Sequence, residues 1–233
     1  MIHTILGARG FIGGRLAQRL HSAGLECFAP DRGDERVFSG TPLGIVFYCV
    51  GMTADYLSNP GATVEAHVGL LSRLLKTGAF SRLIYLSSTR LYDSNPSTVA
   101  KESDPLALAS SNPRHLYDLT KALGENLSLT ASGGRGSVAR LSCVYDAAPG
   151  APGFMSELIT QLRANQDVHI DSSPGIVRDY IALDDVVEAL LAIANHRESG
   201  IFNVASGENT SNADIAAFVN RSGRSLRFSG SGP

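Results

Sequence analysis

The 233-residue chain has no tryptophan, 3 cysteines and 7% aromatic residues. No apolar run in it approaches the ~20 residues that a membrane span requires. Cys27, Cys49 and Cys143 are far apart and odd in number. Neither a disulfide framework nor a Cys-x-x-Cys metal knuckle assembles from neighbours, and a reducing cytoplasm is the expected compartment. The start, MIHTILGARG, lacks a basic segment followed by an apolar one, so no export leader is expected. Excess basic charge is missing too. Lysine plus arginine number 20 against 22 aspartate plus glutamate, a net charge of -2 with both signs interspersed. That balance argues against a nucleic-acid or membrane partner. The histidines, His3, His21, His67, His115, His169 and His196, show no metal-ligand spacing, and no metal site is expected. Glycine, by contrast, is abundant, at 24 residues with several in the first fourteen, and 43% of the chain is apolar. A chain of this length buries about 70% of its unfolded surface, as one α/β domain or a main domain with a small second lobe.

Ile2 to Leu6 is a β-branched and apolar run that stops at Gly7-Ala8-Arg9-Gly10-Phe11-Ile12-Gly13-Gly14. Behind it Ile12, Leu16 and Leu20 recur at helical spacing, up to Gly24. Between a buried strand and an amphipathic helix, Gly7 serves a tight turn, Gly10 a close approach of backbone to a pyrophosphate, and Gly13 close helix-to-strand packing. The helix N-terminus adds N–H groups and partial positive charge for phosphates. A second run, Leu25 to Ala29, ends in Pro30-Asp31-Arg32, an acid about twenty residues after the glycines. Asp31 there accepts hydrogen bonds from ribose hydroxyls and repels a 2′-phosphate, which favours NAD. Arg9 and Arg32 are either solvated surface or a clamp for that phosphate, which leaves NADP open.

The continuous apolar run Ile45 to Val50 reads as a strand covered on both faces. Val64, Val68, Leu71 and Leu75 mark a helix closed by Gly78. Then come Leu83 to Leu86, a polar stretch, and a helix carrying Leu116, Leu119, Leu123 and Leu127. Strand and helix alternate, so a parallel doubly wound sheet is expected. Past Tyr145 the stretch Asp146 to Gly153 is rich in turn residues. Beyond it Phe154, Leu158, Ile159 and Leu162 suggest a helix. Val186 to Ala194 suggest another, capped by Asp184 or Asp185. Ile201 to Ala205 reads as a late strand returning to the sheet. The expected organisation is residues 1–147 as dinucleotide-binding domain, joined by 178–205, with 148–233 mostly a small interleaved substrate lobe.

Tyr117 and Lys121 stand four apart, on one face of a helix. A free phenol, with a pKa of about 10, is scarcely ionised at neutral pH, and a positive charge at about 4 Å lowers that pKa by about three units. A Tyr–Lys pair is common by chance. Here, however, Ser87, Ser88 and Thr89 end the strand Leu83 to Leu86, at the strand end where open α/β sheets bind ligands. A hydroxyl there shares a proton with Tyr117.

Together these features resemble the extended short-chain dehydrogenase/reductase family, the NAD-dependent sugar-nucleotide epimerases and dehydratases. The resemblance runs from Ile2 to about Val219, through GARGFIGG, IVFYCVG, LSSTRLYD, YDLTK, ARLSCVYD, VRDYIALDDVVEAL and GIFNVASGENTS. It implies a Rossmann-type sheet and a cofactor site at Gly7, Arg9, Gly10, Phe11, Ile12, Gly13, Asp31, Arg32 and Val50. Its catalytic hydroxyl falls on Ser88, four before Tyr92, with Thr89 as the lesser alternative. Its tyrosine and lysine fall on Tyr117 and Lys121, the lysine also holding the nicotinamide ribose. The arginine that meets a nucleotide-sugar diphosphate falls on Arg178.

The departures from the family pattern carry information as well. Ser88 is followed by Thr89 and Arg90, not by the acids of the 4,6-dehydratases, which argues against dehydration. Cys143 replaces a usual asparagine in the sugar pocket, Asp146 a glycine, and His67 another asparagine. The chain stops soon after Asp214, where relatives continue, so a pared-down pocket or a smaller substrate is expected. The resemblance implies an enzyme moving hydride between NAD(P) and a sugar carbon, as a nucleotide-sugar epimerase or keto-reductase. It also implies a homodimer built on the helices of Val64 to Leu75 and of Tyr117. A silent dinucleotide-binding scaffold and a non-sugar alcohol dehydrogenase are the alternatives.

Overall fold

The computed structural model describes residues 2–97 and 99–230. The first apolar run forms β1 (His3–Leu6), and the helical spacing behind it forms α1 (Phe11–Ser22), with Gly13, Leu16 and Leu20 buried. In chain order there follow β2 (Cys27–Phe28), β3 (Gly44–Tyr48) and α2 (Pro60–Val64). A π turn (Glu65–Gly69) then leads into α3 (Leu70–Thr77), β4 (Phe80–Ser88), α4 (His115–Thr130) and β5 (Gly136–Leu141). The remainder is β6 (Cys143–Tyr145), α5 (Phe154–Ala164), β7 (Asp167–Ile170), β8 (Val177–Ala182), α6 (Leu183–Asn195), β9 (Ile201–Val204), β10 (Asn209–Ser211), α7 (Asn212–Asn220) and β11 (Ser225–Phe228).

The chain divides into two units, residues 1–141 with 187–204, and residues 142–186 with 205–233. The first holds a six-stranded sheet in the order β2-β1-β3-β4-β5-β9, with every pairing parallel. This is the doubly wound α/β architecture, and β9 rejoins the sheet beside β5. Ile45 to Tyr48 and Leu83 to Leu86 are buried without alternation, as strands covered on both faces are. Their core includes Leu6, Val46, Tyr48, Leu71, Leu74, Leu83 and Tyr85. The second unit has a three-stranded sheet, β10-β8-β6, and a parallel pair, β11-β7, over a core of Leu158, Val168, Ile215 and Leu226. Among the described residues no helix is long and apolar enough to cross a membrane.

Some expectations need correction. The face buried by α2 and α3 is Thr63, His67, Leu71 and Leu74, while Val64 is exposed. The helix starts earlier, at Pro60, and the π turn inserts a wider step that re-phases the two halves. On α4 the leucines mark a helix but not its inner face. His115, Tyr117, Asp118, Thr120, Lys121, Gly124, Glu125 and Ser128 are buried, and Leu123 is exposed. Asp184 and Asp185 lie inside the first turn of α6 rather than capping it. β8, expected within the returning segment, pairs with β6 and β10 in the second unit.

Candidate active site

Gly7 adopts φ +90, and a side chain there would meet the Cys49 carbonyl at 2.9 Å and the Val50 nitrogen at 3.2 Å. A Cβ on Gly13 would collide with the Gly7 carbonyl, and one on Gly10 would stand 3.2 Å from it. Glycine at 7 and 13 therefore lets β1, the turn and α1 close on the end of β3. Gly10 is the N-cap of α1, no side chain caps it, and the first turn holds no acidic residue. The opening N–H groups of the helix, those of Phe11 and Ile12 among them, face no side-chain acceptor of their own cap, which is the electrostatics an anion needs. Past β2, Asp31 accepts a hydrogen bond from Arg9 Nη2 at 2.5 Å, and both side chains are largely exposed. Arg32 is exposed beside them. Asp31 and Arg9, read from sequence as rivals over a 2′-phosphate, are thus partners in one surface ion pair, of the kind worth about 1 kcal/mol or less.

The catalytic candidates gather at the carboxyl end of β4. Tyr117 is buried, and the hydroxyls of Ser88 and Thr53 stand where they favour the ionised form of its phenol. Burial raises that phenol above its usual range; Ser88, the Arg90 charge and Thr53 oppose the rise, and Asp118 adds to it. Ser88 Oγ accepts the Arg90 N–H at 3.2 Å, and Thr89 opens the 3₁₀ turn (Thr89–Tyr92) that follows. Ser87 points into the interior, its hydroxyl without a hydrogen-bond partner among the described residues. Lys121 is buried on the same helix, donates to the Leu86 carbonyl at 2.8 Å, and sits 5.1 Å from the Tyr85 ring centre. Its ammonium is pulled down to about 8, chiefly by burial, with Glu125 and Cys49 opposing. Gly51 gives it room, since a Cβ there would stand 3.3 Å from Nζ.

Sequence reasoning gave no site role to His67 or Arg90. His67 is fully buried and packs edge-on against Tyr117, ring centres 5.4 Å apart. Its Nε2 accepts the Met52 N–H at 3.1 Å, which leaves the proton on Nδ1, 2.8 Å from Thr120 Oγ1. Thr120 in turn donates to the Tyr117 carbonyl at 2.9 Å. Burial, and then the Lys121 charge, pull the imidazole down to about 3, so it is a neutral strut between the end of β3 and α4. Arg90 lies over Tyr117. Both residues come from stretches already singled out, but the contacts that define them join positions far apart in sequence. His115 accepts the Ala109 N–H at 2.8 Å and ties down the loop before α4, a structural role.

Cys143 and Arg178 lie in the second unit, on the paired strands β6 and β8. Arg178 is exposed and folds back on the Val177 carbonyl at 2.9 Å. Asp179, its neighbour, accepts from Ser206 and from the Gly207 N–H at 2.7 Å, fixing the turn before β10.

A family model described as the NAD dependent epimerase/dehydratase family matches residues 3–205. A search of curated proteins gave no match. Among solved structures, MoeE5 in complex with UDP-glucuronic acid and NAD is similar at 24% identity and TM-score 0.79, over 99% of this chain and 86% of that one. UDP-glucuronic acid 4-epimerase from Bacillus cereus, with UDP-glucuronic acid and NAD, is similar at 18% identity and TM-score 0.76, over 100% and 87%. UDP-glucose 4-epimerase from Thermotoga maritima, with UDP-glucose, is similar at 20% identity and TM-score 0.78, over 99% and 86%. At these identities the likeness is one of fold.

Proposed function

Because the chain belongs to the NAD-dependent epimerase/dehydratase family, we propose that it is an NAD(P)-dependent epimerase or keto-reductase acting on a sugar carbon of a nucleotide-sugar. The observation that carries this reading is the buried phenol of Tyr117, with the Ser88 hydroxyl close enough to favour its ionised form and Lys121 buried on the same helix face. Solved structures of the same fold bind NAD with UDP-glucuronic acid and NAD with UDP-glucose, and that supports the substrate class.

The glycine turn fits a dinucleotide: its bare helix start suits a pyrophosphate, and a Cβ at Gly7 or Gly13 would clash with backbone. Gly7, Gly10, Phe11, Ile12 and Gly13 would hold the phosphates, Asp31 with Arg9 and Arg32 the adenosine ribose, and Val50 with Lys121 the nicotinamide end. When bound, the dinucleotide supplies the redox chemistry. Tyr117 exchanges the proton of the reacting hydroxyl, and Ser88 orients that hydroxyl, with Thr89 next to it. Cys143 and Arg178 are read as sugar and diphosphate contacts. A basic guanidinium suits a diphosphate, and Arg178 Nη1 donates to the backbone carbonyl of Val177, with no carboxylate in salt-bridge range of Arg178 among the described residues. The outward apolar groups Leu123 and Val64 suit a second copy of the chain, a homodimer, and the expected place of work is the cytoplasm.

Tyr117→Phe tests the reading. It removes the exchangeable proton and leaves the ring in place, so turnover of nucleotide-sugars should fall by about 10²- to 10⁴-fold while NAD binding by calorimetry stays the same. Undiminished turnover would sink the assignment.

A further inference from the structure

Arg90 comes two residues after Ser88, and the 3₁₀ turn fixes its backbone so that its N–H reaches Ser88 Oγ. Its guanidinium carbon stands 4.9 Å from the centre of the Tyr117 ring and 4.9 Å from that of Tyr56. Nη2 donates to the Tyr56 hydroxyl at 2.9 Å, and the Tyr56 ring packs edge-on against Tyr117 at 5.7 Å. On its other side Nε lies 3.6 Å from Asp118 Oδ1, too far for a hydrogen bond, and among the described residues neither atom has a hydrogen-bond partner. A solvated arginine is not held in this way. The side chain is three-quarters buried and stacked between two phenols, with its charge only loosely offset by one carboxylate.

The charges around Tyr117 can be taken element by element. Lys121, one turn along α4, donates to the Leu86 carbonyl. His67, from the π turn, is held neutral by the Met52 N–H. Tyr85, from β4, is an un-ionised phenol that donates to the His67 carbonyl. Asp118, on α4, opposes a phenolate, and the uncharged hydroxyls of Ser88 and Thr53 favour it. Arg90 is the cation that lies on the ring itself.

We propose that Arg90 is a positioning residue for Tyr117: braced by Tyr56 and Asp118, it pins the phenol beside Ser88 and supplies the nearby positive charge that favours the phenolate. This rests on Tyr117 as the acid/base group. It gives a physical reason for an arginine within a catalytic loop, and it divides the work with Lys121, whose ammonium is committed to the Leu86 carbonyl and the Gly51 side of the site.

The test reads Tyr117 directly, without turnover. A fluorinated tyrosine incorporated at position 117, whose lower intrinsic pKa keeps the titration clear of alkaline unfolding, is followed by fluorine NMR in the full chain. Replacing Arg90 with methionine keeps the stem and removes the charge, and should move the midpoint up by about one pH unit or more. Arg90→Lys should restore most of that shift, which a purely steric role would not do. An unchanged midpoint in folded Arg90→Met protein overturns the proposal. Should that variant fail to fold, Arg90→Gln serves, because it keeps a polar side chain on the ring and removes the charge; its midpoint should also move up, and no movement there also overturns the proposal. A null result here, together with dead Tyr117→Phe enzyme, removes this inference alone. A shifted midpoint together with active Tyr117→Phe enzyme removes the functional reading instead.

Discussion

In the first unit the interior holds His67, Asp118, Lys121 and the pair Arg140–Glu125, whereas that of the second is Leu158, Val168, Ile215 and Leu226 with the small polar residues Ser156 and Asn212. Burying charge is costly unless it is paired or put to use. The helix starts differ in the same sense. Helix α7 opens with a reciprocal Ser211–Asp214 capping box, while α1 opens on Gly10 with no side-chain cap. In the second unit Asp179 is satisfied by Ser206 and the Gly207 N–H. In the first, α1 has no side-chain cap, and Ser87 Oγ and Arg90 Nε have no hydrogen-bond partner among the described residues. That contrast supports the proposal that Tyr117, Ser88 and Lys121 of the first unit carry the chemistry.

The comparison breaks most severely at Glu125. Arg140 donates to it through Nε and Nη2 at 2.9 and 2.6 Å, and through Nη1 to Tyr92, which donates onward to Asn203. Glu125→Ala strands a buried guanidinium and should cost about 3–5 kcal/mol, read from denaturant unfolding. If the loss is small, the charged interior of the first unit is better solvated than its burial implies.

His67 sharpens the comparison through pH. Its folded-state pKa, about 3, lies below the ordinary 6.5, so the unfolded chain takes up the proton first. The stability it contributes is whole above about pH 6.5 and is lost as pH falls toward 3, at about 1.4 kcal/mol per pH unit. Thermal unfolding of His67→Asn should show a flatter acid limb than the parent, and parallel limbs would mean that the imidazole is not the group responsible. The smallest effect belongs to the second unit. Ser211→Ala removes a cap and should cost about 1 kcal/mol with the Tyr117 titration unmoved.

Much of this was legible in the sequence because it is local. The strand, glycine turn and helix of residues 2–24 declare themselves through adjacent residues, and the buried run Ile45 to Tyr48 through unbroken apolarity. Tyr117 and Lys121 are visible because one helical turn puts them on one face. What the sequence hid is non-local or inverted. The leucine spacing marked α4 as a helix but did not show its buried face, which is mostly polar and carries Tyr117, Thr120 and Lys121. The π turn re-phased α2 and α3, which apolar spacing cannot foresee. His67 acquires meaning only through Thr120, and Arg90 only through Tyr117 and Tyr56, contacts that no residue spacing encodes.

The central claim is that Tyr117 performs proton transfer on a nucleotide-sugar. It is tested most directly by comparing parent and Tyr117→Phe enzyme, each supplied with NAD, for conversion of a panel of UDP-sugars, with NAD affinity measured on the same samples. Conversion of at least one sugar by the parent, its loss in the variant, and equal NAD affinity are the predicted result. Equal conversion by both proteins would contradict it.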